Sequence, residues 1–174
     1  AHMLLRPVEN QGNCGSCFAF AGVHAVMDDY QIAKKTKFPS GASVQHVLEC
    51  CHECSGPEYC KGGDPAPVVN FVTRGLTTDV QCKQYMSVTG KETKSCRSTC
   101  DNGGKVKTFS FGQYIGTQDS YENEMKAFLQ KGVLLTGFEF PIGKGGLTEF
   151  LAIQPQKGIY PKGCRVYGDR PMIN

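Results

Sequence analysis

Ten cysteines in 174 residues limit what this chain can fold into more than any other feature. Such density is unusual in a reducing compartment. It points to an oxidising one and to a disulfide framework. Eight cysteines alone can pair in roughly a hundred ways, so counting settles no connectivity. The length suits one domain, or one and a half small ones, with a sizeable core. With 40% hydrophobic and 20% charged residues the chain reads as globular, and Gly contributes 21 positions, many in loops. Net charge is +3 with no long basic run, so neither nucleic acid nor a membrane is expected as a partner. No apolar stretch approaches the ~18 residues of a transmembrane helix, and no signal peptide or Asn-x-Ser/Thr acceptor is read. Residues 1–3, Ala-His-Met, look like a cloning scar.

Local pattern predicts several elements. Cys17 to Lys35 reads as a helix, apolar almost all round in its first half and emerging into solvent at Asp28, Asp29, Lys34 and Lys35. A short helix is expected from Val44 to Cys51 with Ser43 as its N-cap, and a third from Ala66 to Arg74, with prolines at its start and Gly75 past its end. Alternation from Val106 to Ile115 predicts a strand, and Val133 to Phe140 a buried one. Between them Asp119, with Glu122 at the capping-box position, opens a helix that runs to Lys131 and stops at Gly132. The chain therefore divides into a helical, disulfide-rich half over residues 4–103 and a β-rich half over 104–174.

The segment QGNCGSCFAF, beginning at Gln11, sets Cys14 and Cys17 three residues apart directly before the first helix. Such a pair could be a disulfide, a redox CxxC, half a zinc site completed by Cys51 and Cys54, or one structural thiol beside one reactive one. A thiol in the first turn of a helix meets the positive end of the dipole, which favours the nucleophilic thiolate. Cys17 has that position and Cys14 does not. Gln11, six residues upstream, is close enough to offer its amide to an oxyanion forming beside Cys17, with the Cys17 backbone N–H as second donor.

At this point the sequence resembles the nucleophile segment of papain-like cysteine peptidases, with Phe18 where that family has Trp or Tyr. CKGGDP, Cys60 to Pro65, is similar to the family's substrate-pairing glycine segment, which implies Gly62 and Gly63 as backbone contacts and Asp64 and Pro65 at the pocket border. SVQHVLECCHEC, CRSTC and GVLLTGFEF resemble the cathepsin B branch. The resemblance implies an α+β fold of two halves, helical on the left and antiparallel β-rich, here incomplete, on the right. It also implies bridges Cys14–Cys60, Cys50–Cys96, Cys51–Cys54 and Cys82–Cys100, leaving Cys17 as nucleophile and Cys164 unpaired. The expected function is a cysteine-type endopeptidase acting on peptides or proteins, with a propeptide or protein inhibitor as further partners, no cofactor and no metal. A secreted or lysosome-like location follows. The histidine-bearing occluding loop of cathepsin B is missing, because Lys83 to Ser95 holds thirteen residues and no histidine.

The family's catalytic base is a histidine from the β-rich half, oriented by an asparagine. The four histidines here, His2, His24, His46 and His52, all belong to the helical half or precede it. In GCRVYGDRPMIN the expected histidine slot falls on Arg170, whose guanidinium cannot shuttle protons near neutral pH. Three accounts fit: a chain whose remaining part or second chain supplies His and Asn, a catalytically inactive homologue that binds peptides or inhibitors, or a final ten residues foreign to the family. Turnover by the 174 residues as written is not expected. By itself Arg170 reads as a surface arginine, His24 as a packed core histidine, and Asp64-Pro65 equally well as a helix entrance.

Overall fold

The computed structural model describes residues 9–37, 40–55, 59–87, 89, 95–111 and 122–135. Among them run α1 (Cys17–Lys34), α2 (Val44–Cys50), α3 (Pro65–Thr73), β1 (Thr77–Thr78), β2 (Thr108–Phe109) and α4 (Glu122–Leu129). Helix and strand share one compact unit, in keeping with an α+β fold.

α1 buries Phe18, Ala19, Gly22, Val23, Val26 and Met27, a helical stripe that packs on α3. Its first half is not buried all round: Cys17 and Ala21 are exposed, and Phe20, His24 and Ala25 half-buried. An apolar run is wetted on the side where none of the described elements covers it. The helix ends at Lys34, one residue earlier than the pattern suggested, because Lys35 turns left-handed at φ 52° and its N–H caps the carbonyls of Gln31 and Ile32. Gly22 sits where α1 meets α3, and a Cβ there would come within 2.6 Å of Val68 Cγ1. Only a bare Cα lets the two helices approach so closely.

α2 is the most enclosed element, with every residue from Val44 to Glu49 buried. Ser43 starts it, its Oγ accepting from the His46 N–H at 2.9 Å and donating to the Lys83 carbonyl at 2.7 Å. Asp64 caps α3, its carboxylate accepting from the Ala66 N–H at 2.8 Å, and Pro65 at the first helical position loses nothing by lacking an N–H. Gly75, at φ 77°, turns the chain out of the helix into β1.

The β structure is shorter than the alternation predicted. β1 and β2 pair antiparallel with Thr77 opposite Phe109 and Thr78 opposite Thr108. β1 cannot lengthen because Asp79 at once forms a turn, its carboxylate accepting from the Gln81 N–H at 2.6 Å and its carbonyl from Cys82 at 3.0 Å. Residues 106, 107, 110 and 111 are therefore not strand, and 112–115 lie outside the described residues. Val133 to Leu135 likewise form no strand, since the Val133 N–H donates to the Asp29 carboxylate of α1 at 3.0 Å. Residues 136–140 lie outside the described residues, as does Asp119. α4 ends at Leu129, with Lys131 and Gly132 folding back onto the Phe128 carbonyl.

Four disulfides cross-link this unit: Cys14–Cys60, Cys50–Cys96, Cys51–Cys54 and Cys82–Cys100. Each cysteine of the second and fourth bridges has a charged neighbour in sequence, and these four side chains meet. Lys83, fully buried, places its Nζ 3.2 Å from Glu49 Oε2 and 3.8 Å from Asp101 Oδ1. Arg97 lies 3.6 Å from Glu49 Oε1 and 3.2 Å from Asp101 Oδ1. The Lys83–Glu49 contact is close enough for charge attraction without hydrogen-bond alignment.

Candidate active site

The loop before α1 is shaped by local hydrogen bonds and by long-range contacts. Asn10 Oδ1 accepts from the Gly12 N–H at 2.8 Å, across a turn in which Gly12 takes φ 64°. Gly15 then lies against the Cys60 segment, its N–H donating to the Cys60 carbonyl at 2.7 Å, while the Cys14–Cys60 disulfide locks the same contact. A Cβ on Gly15 would meet that carbonyl oxygen at 2.6 Å, so the approach requires glycine.

Ser16, fully buried, begins α1, and its carbonyl accepts from Ala19 at 2.9 Å and Phe20 at 3.2 Å. The amides of Cys17 and Phe18 therefore stand in the opening turn, where a helix has N–H groups without intrahelical acceptors. Cys17 is exposed there and carries a free thiol, the free cysteine among the described residues. Phe18 points the other way into the core, and a Cβ on Gly63 would strike its ring at 2.7 Å. A flat ring thus lies directly under the glycine segment. With Cys14 joined to Cys60 and Cys51 to Cys54, three of the four thiols that a zinc knuckle would need are already bonded to sulfur. Among the described residues no group of three or more His, Cys, Asp or Glu is placed to hold a metal ion.

Gln11, half-buried, directs one N–H of its carboxamide to the Cys14 carbonyl at 3.0 Å. That bond orients the amide and leaves its second N–H for another acceptor. Gly62 takes φ 105° with open space where a Cβ would point. Asp64 is a helix cap, its own N–H bonded to the Cys54 carbonyl at 2.9 Å. Gly15, Cys60 and Lys61 thereby place the glycine segment beside the start of α1, with a backbone bridge between Gly15 and Lys61.

The described histidines stand elsewhere, and His2 lies outside the described residues. His24 lies seven residues along α1 from Cys17, its ring edge-on to Phe20 and its Nε2 3.3 Å from the Glu9 carboxylate. Seven residues are about 10 Å of helix. His46 is buried within α2, where burial first, with the Lys83 charge adding and the Glu49 charge opposing, holds its imidazole below the usual value of 6.5. His52 is exposed in the turn after α2. Arg170 and Cys164 lie outside the described residues.

Sequence reasoning missed Tyr85. Its hydroxyl contacts both the Gln11 carbonyl and the Ser16 hydroxyl, across 74 and 69 residues of sequence. No local pattern around CKQYMSV signals that role.

An exposed thiol thus stands at the head of α1, and the Cys14–Cys60 disulfide ties the loop before it to the glycine-rich segment. The sequence model of the papain family of cysteine proteases matches residues 1–140, and the chain belongs to that family. Among curated relatives it is 32% identical over 139 residues to Cathepsin B-like CP2 of Giardia intestinalis, covering 75% of this chain and 43% of the relative. Cathepsin B-like CP1 of the same organism is 28% identical over 132 residues, covering 76% and 43%. These place the chain in the cathepsin B-like branch, and it spans less than half the length of either relative. The solved structure of proCathepsin B S9 from Trypanosoma congolense shares the fold, with TM-score 0.52 and 22% identity over 62% of this chain and 37% of that one.

Proposed function

We propose that this protein works as the nucleophile-bearing part of a cathepsin B-like, cysteine-type endopeptidase. The Cys17 thiolate attacks the carbonyl carbon of a peptide bond, and the free N–H of the Gln11 carboxamide and the Cys17 backbone N–H hold the resulting oxyanion. Gly62 and Gly63 offer backbone to an extended substrate, with Asp64 and Pro65 at the rim. The observation that carries this reading is the exposed, unbridged thiol of Cys17 in the opening turn of α1. Attack inside a peptide, rather than at its C-terminus, follows from a Lys83–Ser95 segment too short and too poor in histidine to close the primed end of the cleft. Four disulfides favour an oxidising location, secreted or lysosome-like. A propeptide or a protein inhibitor would occupy the same cleft as substrate.

In this reading the base is a histidine oriented by an asparagine, both supplied by a second chain. Burial of His46 and the distance of His24 along α1 also favour a second reading, an inactive homologue that binds peptides. One assay separates them: cleavage of a long internally quenched peptide by the protein and by Cys17→Ala, with peptide binding measured in parallel. Internal cleavage lost in Cys17→Ala supports the peptidase. Binding without cleavage supports the homologue, and cleavage that survives Cys17→Ala overturns the nucleophile.

A further inference from the structure

The Tyr85 hydroxyl lies 2.7 Å from the carbonyl oxygen of Gln11 and 2.7 Å from Ser16 Oγ. A phenol has one proton and a carbonyl can only accept, so Tyr85 donates to Gln11 and the Ser16 hydroxyl donates to Tyr85. Both distances are normal for strong O–H···O bonds, whereas the Ser87 carbonyl, at 3.4 Å from the same hydroxyl, competes poorly. Ser16 is the buried residue from which α1 starts, and Gln11 turns its carboxamide to the Cys14 carbonyl from a backbone that Tyr85 holds. One hydroxyl therefore ties the two flanks of the loop between them.

The segment carrying Tyr85 is itself braced on both sides. The N–H of Gln84 donates to the Asp101 carboxylate at 2.9 Å. The N–H groups of Met86 and Ser87 donate to Gln45 Oε1 on α2 at 3.0 and 3.3 Å, and the Ser87 hydroxyl adds a third bond at 3.0 Å. The Tyr85 ring rests edge-on against Phe20 of α1, with centroids 4.9 Å apart. Its hydroxyl is thus delivered to the loop by a fixed support.

We propose that Tyr85 is a positioning residue of the oxyanion site, setting the Gln11 backbone against the start of α1 so that the Gln11 carboxamide and the Cys17 N–H converge on one oxygen. The proposal rests on the reading of Cys17 as nucleophile and Gln11 as oxyanion donor. Tyr85 touches no reacting atom. Its contribution is preorganisation, which decides how well two donors stabilise a charge that exists only after attack.

Two electrophiles isolate that contribution. With a peptidyl aldehyde the Cys17 thiolate forms an S–C bond, the C=O π pair moves to oxygen, and the oxyanion sits between the donors before water protonates it. With iodoacetamide the S–C bond forms as iodide leaves, and no oxyanion arises. The reported quantity is aldehyde affinity divided by iodoacetamide rate at Cys17, measured in the native protein, Tyr85→Phe and Ser16→Ala. Tyr85→Phe keeps the ring on Phe20 and should lower this ratio about tenfold, less than the ~10²-fold or more of deleting a donor outright. Ser16→Ala keeps the Tyr85–Gln11 bond and should lower it by a smaller factor, about threefold. An unchanged ratio in Tyr85→Phe overturns the proposal. Should that variant fail to form its four disulfides, an unchanged ratio in Ser16→Ala overturns it instead. If the native protein is alkylated by iodoacetamide at Cys17 yet forms no aldehyde adduct there, the oxyanion reading itself falls, and the role of Tyr85 with it.

Discussion

Replacing Lys83 with methionine should destabilise this protein by about 3 kcal/mol. Its side chain is fully buried, and its ammonium faces the Glu49 carboxylate, which is 6% exposed, at 3.2 Å. Methionine fills nearly the same volume, so the loss comes from charge rather than from a cavity. Removing one partner of a buried pair typically costs ~3–5 kcal/mol, because the other stays desolvated and uncompensated. The lower end applies here. Glu49 keeps Arg97 at 3.6 Å and the Gln45 Nε2 donor at 3.3 Å. With a urea m-value of about 2 kcal/mol/M, the unfolding midpoint should fall by roughly 1.5 M with all disulfides intact. The companion variant Lys83→Met/Glu49→Leu removes both charges and should recover most of that loss. About 1 kcal/mol remains, since Gln45 Nε2 loses its acceptor. A single variant that loses less than ~1 kcal/mol, or a double variant no better than the single one, would refute the claim that desolvation of Glu49 sets the cost.

Gly22→Ala should cost about 1–3 kcal/mol in chemical denaturation, because its new methyl meets Val68 at 2.6 Å and the Pro65 carbonyl at 3.1 Å. Asp64→Ala removes the N-cap of α3, and a loss of about 1 kcal/mol is expected in the same assay. His46 predicts a pH dependence. The unfolded histidine takes its proton near 6.5 while the buried one resists, so below 6.5 the unfolded state binds more protons and stability falls as pH drops toward the folded value. Urea midpoints at pH 7 and pH 5 should therefore differ less in His46→Gln than in the native protein, and equal differences would exclude His46 as the source.

What could be read from the sequence was local. Ser43, Asp64-Pro65 and Gly75 mark helix ends through bonds made within a few residues, and the placement of Cys17 at the head of α1 follows from the apolar run behind it. The strand at Val106–Ile115 was overestimated because alternation says what a segment can do, whereas its length depends on a partner. That partner, β1, is cut to two residues by Gly75 and Asp79. Val133 departed for a related reason, as the Asp29 side chain took the N–H that a ladder would have used. Tyr85 and the Lys83–Glu49 contact were invisible, because they join residues 34, 69 and 74 positions apart and no spacing rule reaches so far.

The four charges beside the second and fourth bridges also bear on how those bridges are chosen during oxidation. Four thiols can join in three ways. The native bonds set Glu49 against Arg97 and Lys83 against Asp101, opposite signs in both cases. Joining Cys50 to Cys82 and Cys96 to Cys100 would also match opposite signs. The crossed arrangement, Cys50 to Cys100 and Cys82 to Cys96, would press carboxylate on carboxylate and cation on cation. Like charges set side by side are destabilising, which weighs against that isomer. The charge pattern thus opposes one of the two non-native pairings, while only the fold distinguishes the other from the native one.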